Sequence, residues 1–372
     1  MKVDSITLHR IAMPLVRPFE TSFGRETERV VLLVHLVTDV GEGWGECVAG
    51  ATPGYSSEYV EGCAHVIEHH LAPLLFGAPV LRAADLERLF APVVGHRMAK
   101  AALEAAVLDA ELRASGTSFA RHLGAVRNEV DCGVSVGISP TIHELLDEVQ
   151  GYVDAGYRRI KLKIKPGWDL EPVRRVRELI GPDAALQVDA NTAYTRRDIP
   201  HLRRLDASRL LLIEQPFDEE DIASHVALAQ AIETPVCLDE SIVSAGVAID
   251  AIERGATSIV NVKPGRVGGY LPAVAIHDAC LARGIPVWCG GMLETGIGRA
   301  MNVALAALPG FTLPGDTSAS DRYYAEDLTE PFVLNDGRLA VPTGPGSGVT
   351  VRTDLVRAWA VQPPRLLQPR AR

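Results

Sequence analysis

The chain has 372 residues, 47% of them hydrophobic, and its 37 basic and 47 acidic side chains give a formal net charge of −10. An acidic chain without a basic block excludes nucleic acid and anionic membranes as expected partners, and no apolar run approaches the roughly 18 residues of a membrane span. The N-terminus lacks the apolar stretch of a signal peptide, and six scattered cysteines without a C-x-x-C pair predict a protein of the reducing cytoplasm.

Residues 1–125 are typical of an α+β domain. The run Val30–Val37 predicts a strand, and a long helical pattern covers Arg97–Ala114. Two segments of small and aromatic residues, Phe19–Phe23 and Gly50–Tyr55, are expected to form a lid over the next domain. The alternative is that both segments are plain connections.

In residues 126–320, short β-rich runs alternate with segments of helix length. Several runs are apolar on both faces, as strands of a parallel sheet are. The polar ends of five successive runs recur every 24 to 26 residues, which is the length of a βα unit. Eight runs predict a (β/α)₈ barrel, with an open doubly wound sheet as the alternative. The runs are Cys132–Val136, Arg159–Ile164, Ala185–Asp189, Leu210–Glu214, Pro235–Asp239, Ser258–Lys263, Ile285–Cys289 and Phe311–Leu313.

The last segment, residues 321–372, is expected to return to the first domain. Within it, Phe332–Leu339 predicts a hairpin because Asn335-Asp336-Gly337 is a typical tight-turn sequence. The closing stretch Pro363–Arg372 is predicted to be a frayed tail.

Three carboxylates end three successive predicted strands: Asp189, Glu214 and Asp239. Because the C-terminal ends of barrel strands share one mouth, these groups would converge there and repel each other unless a cation binds. A set of oxygen ligands favours a hard ion, with Mg²⁺ first and Mn²⁺ second. The alternative for any single acid is that it caps the following helix, but the constant spacing of all three disfavours that interpretation.

Lysines occupy the remaining strand ends. Lys161, Lys163 and Lys165 share one face of their predicted strand, and we expect that face to point into the barrel mouth; a solvated edge strand is the alternative. Lys263 ends a strand four strands away and therefore faces Lys163, and Arg266 is close enough in sequence to lower the pKa of Lys263. Lysine, unlike arginine, can give up its proton. Two lysines flanking a metal-bound carboxylate predict removal of the proton α to it, through an enediolate that the metal stabilises.

Several motifs carry a family resemblance. The strand-end motifs resemble those of the muconate-lactonising subgroup of the enolase superfamily; they are Lys161–Lys163, Asp189–Asn191, Glu214–Pro216, Asp239–Ser241 and Lys263–Gly265. Further motifs are similar to the N-succinylamino acid (N-acylamino acid) racemase and o-succinylbenzoate synthase family; they are Gly95–Lys100, Gly133–Gly137, Cys289–Gly296 and Pro314–Ser318. The resemblance extends from Met1 to about residue 350, with no departure at a catalytic position.

The resemblance implies a capping domain closed over a modified (β/α)₇β barrel. It implies Asp189, Glu214 and Asp239 as Mg²⁺ ligands, and Lys163 and Lys263 as the acid/base pair. It also implies a set of residues that contact substrate or tune the base. In that set Lys161 holds the substrate carboxylate, Arg266 belongs to racemase-type members, and the site is lined by Ser135, Asn191, Gly291, Met292, Leu293, Phe19, Phe23 and Tyr55.

The expected reactions on a small carboxylate substrate are racemisation of N-succinylamino acids and dehydration of a cyclohexadiene precursor to o-succinylbenzoate. Both begin with the same enediolate. The alternatives are a muconate-lactonising or dipeptide epimerase type of the same superfamily and, more distantly, a non-catalytic binding protein on this fold. Dipeptide epimerases carry a D-x-D motif that Asp316-Thr317-Ser318 lacks, which favours an acyl-capped substrate. The resemblance also implies a homo-oligomer.

Overall fold

The computed structural model of the protein describes residues 1–369. Within this range the strands are β1 (Val3–Thr21), β2 (Gly24–Thr38), β3 (Gly41–Cys47), β4 (Glu129–Asp131), β5 (Gly133–Val136), β6 (Arg159–Lys163), β7 (Ala185–Asp189), β8 (Ile213–Glu214), β9 (Val236–Leu238), β10 (Ile259–Val262), β11 (Val287–Cys289), β12 (Arg338–Ala340) and β13 (Arg365–Leu367). The α-helices are α1 (Val60–Val66), α2 (Ala72–Gly77), α3 (Leu86–Phe90), α4 (Arg97–Ser115), α5 (Phe119–Leu123), α6 (Ile142–Asp154), α7 (Leu170–Ile180), α8 (Ile199–Leu202), α9 (Ile222–Ala229), α10 (Ala245–Glu253), α11 (Pro264–Val267), α12 (Tyr270–Leu281), α13 (Gly296–Ala306) and α14 (Thr353–Ala358). None of the helices in residues 1–369 is long and apolar enough to cross a membrane.

The first domain, which we call the cap, is built on an antiparallel sheet of order β13-β1-β2-β3. β3 packs tightly against α4. A Cβ atom at Gly45 would collide with the carbonyl oxygen of Ala102 in α4, so glycine is required there for the strand and helix to approach. This packing fixes α4 against β3, the edge strand of the cap sheet.

The second domain contains a parallel sheet of order β11-β10-β9-β8-β7-β6-β5, wrapped by helices. All residues of β5, β6, β9 and β10 are buried, as expected for strands covered on both faces. The register pairs Lys163 with Asp189 and Asp189 with Glu214, so these strand ends are level at one mouth. The prediction of a barrel of enolase type is confirmed.

The eighth predicted strand, Phe311–Leu313, is wrong as a strand. It is reduced to one bridge between Val287 and Phe311, and a second bridge between Cys132 and Gly315 reaches the first strand of the barrel. The chain turns here because the amide of Thr312 bonds to Gly310 and because the following Pro314 has no N–H to donate.

The segment after residue 320 differs from prediction in two places. The turn at Asp336 and Gly337 forms, with both residues at positive φ, and it is closed by a single bridge between Asn335 and Arg338. The strand that follows, β12, pairs along its length with β4, so the predicted hairpin is limited to that bridge. The predicted frayed tail is wrong for Arg365–Leu367, since this strand pairs with β1 of the cap. Residues 363–364 and 368–369 of that predicted tail have no regular secondary structure, and residues 370–372 lie outside the described residues. The domain boundaries at 125 and 320 stay a prediction, which the return of β13 favours.

Candidate active site

A cavity of about 360 Å³ lies between the cap and the barrel mouth. Both predicted lid segments contribute to it, together with the loops that follow the barrel strands. Its lining includes every predicted substrate-contacting residue and both predicted acid/base lysines, namely Phe19, Phe23, Tyr55, Ser135, Lys161, Lys163, Asn191, Lys263, Gly291, Met292 and Leu293. The structure therefore brings the two aromatic segments over the mouth, where the sequence placed a lid.

Lys163, at the end of β6, is held by two oxygen atoms. Its Nζ donates to Asp189 Oδ2 at 2.6 Å and to Asn191 Oδ1 at 2.7 Å. The amide of Asn191 is itself oriented by a bond from Nδ2 to Glu240 Oε1 at 2.9 Å. Asn191 thus lines the cavity and also fixes the direction of the lysine, a contact that its motif alone did not reveal.

Lys263, after β10, has a matching arrangement. Its Nζ donates to Asp239 Oδ2 at 2.6 Å and to the Tyr55 hydroxyl at 3.0 Å. Arg266 donates to the same hydroxyl, and its Nε lies 3.4 Å from Asp239 Oδ1. Burial and Arg266 lower the pKa of Lys263, but the Asp239 carboxylate outweighs them and raises it well above its ordinary value. Arg266 therefore acts in the predicted direction as one of several opposing effects.

Lys161 points toward the centre of the mouth. Its Nζ lies 2.6 Å from Asp316 Oδ2, 3.3 Å from Glu214 Oε2 and 3.4 Å from Asp189 Oδ2, and 4.8 Å from the centre of the Trp288 ring. Burial lowers the pKa of Lys161, but the surrounding carboxylates, Asp316 first, raise it above the ordinary range. A lysine that keeps its charge is suited to binding a carboxylate.

Lys165 departs from the expectation for this strand. It lies beyond the end of β6, in a turn whose backbone bonds to Trp168. Its side chain is 39% exposed and pairs with Glu20 of the lid at 3.3 Å. The lysine face that points into the mouth therefore ends at Lys163, because the strand ends there.

The three predicted ligands, Asp189, Glu214 and Asp239, form the floor below the lysines, and all three are fully buried. Burial and repulsion from Asp189 raise the pKa of Glu214 well above its ordinary value. Asp239 Oδ1 is buried without a hydrogen-bond partner. With their present side-chain positions, no three His, Cys, Asp or Glu residues in the range 1–369 are arranged to hold a metal ion, because each carboxylate contacts a lysine. Mutual repulsion, an unpartnered oxygen and an all-oxygen donor set nevertheless fit a hard cation.

Asp316 is a site residue for which no role was predicted. It belongs to the Pro314–Ser318 motif and was otherwise considered only because no second acid follows it in a D-x-D pattern. Its Oδ1 accepts from Arg159 Nη2 at 2.9 Å, while Oδ2 contacts Lys161 and accepts from Ser135 Oγ at 3.3 Å. Burial raises the pKa of Asp316, but Lys161 and Arg159 reverse this and hold it below the usual range. Tyr323, which also lines the cavity, was missed because it follows the barrel in a segment without a recognisable pattern.

Comparisons with known families cover both domains. The family described as mandelate racemase / muconate lactonizing enzyme, N-terminal domain, matches residues 5–124. The family described as enolase C-terminal domain-like matches residues 144–355.

Individual relatives extend over nearly the whole chain. An N-succinylamino acid racemase from Amycolatopsis sp is 64% identical over 356 residues, which cover 96% of this chain and 97% of the relative. An o-succinylbenzoate synthase from Geobacillus kaustophilus is 45% identical over 353 residues, 94% of each chain. The crystal structure of an enolase superfamily member from Listeria innocua Clip11262 has a TM-score of 0.94 at 39% identity and covers 99% of both chains.

Proposed function

This chain belongs to the enolase superfamily, as its motifs predicted, and on that premise we propose that it is a Mg²⁺-dependent enzyme that removes the proton α to a carboxylate. Its reactions are racemisation of N-succinylamino acids and dehydration to o-succinylbenzoate. One observation carries the proposal: Lys163 and Lys263, each anchored on a carboxylate 2.6 Å away, face one cavity from strands four places apart in the sheet. The names of the relatives supply the two substrate classes.

Substrate binding follows from the charges in the mouth. Lys161 retains its positive charge and lies among carboxylates in the mouth, so it is placed to bind the substrate carboxylate. The rest of the substrate occupies the space between Phe19, Phe23 and the Met292–Leu293 wall. With the carboxylate fixed, the α-carbon lies between Lys163 and Lys263.

Racemisation needs a proton removed from one face and returned to the other. A neutral lysine takes the α-proton, the C–H bond breaks, and its electron pair delocalises into the carboxylate as an enediolate. The opposite lysine, as an ammonium, then donates a proton to the other face. Lys163 and Lys263 exchange these roles according to which enantiomer binds.

Dehydration uses the same first step. One lysine removes the α-proton, and the electron pair then expels hydroxide from the neighbouring carbon. The same lysine, now an ammonium, returns that proton to the departing hydroxide, which leaves as water, and the ring becomes aromatic. A single proton-transferring lysine suffices, so one site supports both reactions.

The floor carboxylates Asp189, Glu214 and Asp239 are the residues proposed to hold Mg²⁺, with Mn²⁺ as a second choice. A cation bound there would supply Lewis-acid stabilisation of the negative charge on the substrate carboxylate. The unpartnered Asp239 Oδ1 and the raised pKa of Glu214 support this assignment.

A dipeptide epimerase is the less favoured function. To bind a free amine, the mouth would need carboxylates that are not already paired with other cations. Asp316 is already paired with Lys161 and Arg159, and Ser318 stands where a second acid would be needed. A substrate whose amine is acylated needs no such group.

Two further properties remain proposals: location in the cytoplasm and assembly into a homo-oligomer. All six cysteines are buried free thiols, as a reducing compartment requires. Light scattering of the purified protein tests the second property directly.

Metal-dependent turnover tests the proposed function. The protein is freed of metal with a chelator and assayed with N-succinylphenylalanine, for loss of optical rotation, and with the cyclohexadiene precursor, for formation of the aromatic product. We expect no turnover of either compound until Mg²⁺ or Mn²⁺ is added. Turnover that is unaffected by the chelator would contradict the metal assignment, and no turnover with either compound after metal addition would contradict the proposed reactions.

A further inference from the structure

Two buried carboxylates of the cap lie outside the cavity and reach across to the barrel. Glu46 is near the end of β3 and is 9% exposed, and Glu104 is in α4 and is 3% exposed. Each one meets the first turn of a barrel helix. The helix α13 follows the loop that carries the cavity residues Met292 and Leu293, and α12 follows Lys263 after the short helix α11.

Glu104 binds the start of α12. Its Oε2 accepts from the amide of Tyr270 at 3.0 Å, and its Oε1 accepts from the amide of Leu271 at 2.8 Å. A Cβ atom on Gly269 would lie 2.7 Å from the carboxylate carbon, so glycine makes room for the cap residue. The segment just before this turn begins at Lys263.

Glu46 binds the start of α13. It accepts from the Thr295 amide at 3.0 Å, from the Thr295 hydroxyl at 2.7 Å and from the Gly298 amide at 3.0 Å. A Cβ atom on Gly298 would lie 2.9 Å from Glu46 Oε2. In the loop before this turn, the side chain of Glu294 accepts from the amide of Met292 at 2.8 Å. The start of α13 is therefore linked to Met292 and Leu293, which form one wall of the cavity.

Burial of these acids is unfavourable by itself. It raises the pKa of Glu46 and of Glu104 to about 7, and repulsion from Glu294 adds to the effect at Glu46. Backbone N–H donors and the positive end of a helix offset the loss of hydration. The buried positions of Glu46 and Glu104 are therefore favourable only when the cap is docked against both helices.

We propose that Glu46 and Glu104 are positioning residues through which the cap fixes two parts of the active site. Glu104 acts through the start of α12 on Lys263, and Glu46 acts through the start of α13 on the Met292–Leu293 wall. Proton transfer should therefore depend on Glu104, while substrate fit should depend on Glu46. The kinetic part of this inference rests on the proposed function; the structural part does not.

Glutamine at either position tests the contacts with no change in size. A glutamine keeps one acceptor oxygen but places an NH₂ group against backbone N–H donors, so one contact becomes repulsive. Asp109→Asn is the matched control. Asp109 lies on α4 like Glu104, is fully buried, and accepts from the amides of Trp44 and Ser347, neither of which belongs to α12 or α13.

The first measurement is hydrogen–deuterium exchange of the folded variants, which requires no enzymatic activity. We expect Glu104→Gln to speed exchange by about tenfold at the start of α12 only, and Glu46→Gln to do so at the start of α13 only. Asp109→Asn should change neither turn. Equal protection in both Gln variants and the wild type would overturn the proposal, even if the racemase activity is confirmed.

The second measurement separates kcat from KM with N-succinylphenylalanine. A misplacement of 1 Å can lower a rate by on the order of 10²-fold, so a partial shift of Lys263 in Glu104→Gln should lower kcat by about tenfold with KM little changed. Glu46→Gln should raise KM by about fivefold and change kcat by no more than about twofold. Asp109→Asn should lower thermal stability and leave both constants of the folded enzyme unchanged.

Two further variants test the same contacts if Glu104→Gln or Glu46→Gln does not fold. Glu104→Asp keeps the charge but withdraws it by one methylene group from α12, and Gly298→Ala displaces Glu46 from the opposite side. The same local exchange and the same division between kcat and KM are expected. If either variant lowers kcat and raises KM to a similar extent, the separate roles of Glu104 and Glu46 are wrong.

Discussion

The two walls of the cavity carry different chemistry. The barrel supplies charged groups, with Lys163 and Lys263 held on carboxylates at 2.6 Å. The cap supplies the aromatic rings, with Phe23 and Tyr55 in contact at a ring distance of 5.0 Å, and charged side chains of the Arg25–Arg29 stretch. On the proposed function, the barrel lysines transfer the proton and the aromatic rings of the cap help to fit the substrate.

The two walls also differ in how they are held. Charged groups of the barrel hold one another through buried ion pairs, so their geometry is set before substrate arrives. The outer part of the lid contacts the barrel through Ser22 Oγ, which donates to the Asn191 carbonyl at 3.1 Å, and through Glu20, which pairs with Lys165 at 3.3 Å. Changes to the charged groups of the barrel should therefore reduce kcat, and changes to the exposed part of the cap wall should mainly alter KM.

Removing a floor carboxylate should have the largest effect. Asp239→Asn leaves Asp189 and Glu214 as a weaker ligand pair, so activity should be lost and Mg²⁺ affinity should fall by more than the roughly 10–100-fold typical of outer-shell changes. Isothermal calorimetry measures the affinity, and circular dichroism checks that the barrel is folded.

Asp316→Asn is the control for that change, because the Asp316 side chain is only 6% exposed and binds a lysine but is not a proposed ligand. Its Mg²⁺ affinity should stay within a few-fold of the wild type. Unchanged binding in Asp239→Asn, or an equal loss in both variants, would show that the ligand assignment is wrong.

A smaller effect is expected from Arg266→Gln, at the boundary between the two walls. Arg266 supports the Tyr55 hydroxyl that accepts from Lys263, so its loss should disturb one of the two lysines. Racemisation, which uses both, should slow by about tenfold or more, whereas dehydration, which needs one, should slow by only about two- to threefold. Parallel assays of both reactions decide this, and equal losses would count against separate roles for the lysines.

The smallest effect should come from the outer part of the cap wall. Phe23 is 42% exposed, so Phe23→Ala removes about 1 kcal/mol of apolar contact and should raise KM by about fivefold while kcat stays within twofold. Val80→Ala, at a cap side chain that is 69% exposed and does not line the cavity, should change neither constant. A drop in kcat larger than the rise in KM would break the division between cap and barrel.

The same two regions differ in how far the sequence predicts them. Barrel chemistry is repetitive along the chain, so the spacing of Asp189, Glu214 and Asp239 was sufficient to place them together. Lys165 was misplaced because a residue alternation does not show where a strand ends. The cap contacts join residues far apart in sequence, such as Glu46 with Thr295, and no periodic pattern marks them.

Isotope exchange in D₂O tests the two-lysine mechanism most directly. Lys163→Ala and Lys263→Ala should each slow racemisation of N-succinylphenylalanine by roughly 10²–10⁴-fold, since each removes one of two opposed groups. The remaining lysine still reaches one face, so proton NMR should show deuterium entering one enantiomer with Lys163→Ala and the opposite enantiomer with Lys263→Ala, without inversion. Exchange into both enantiomers by a single variant would show that one base serves both faces, and would contradict the account.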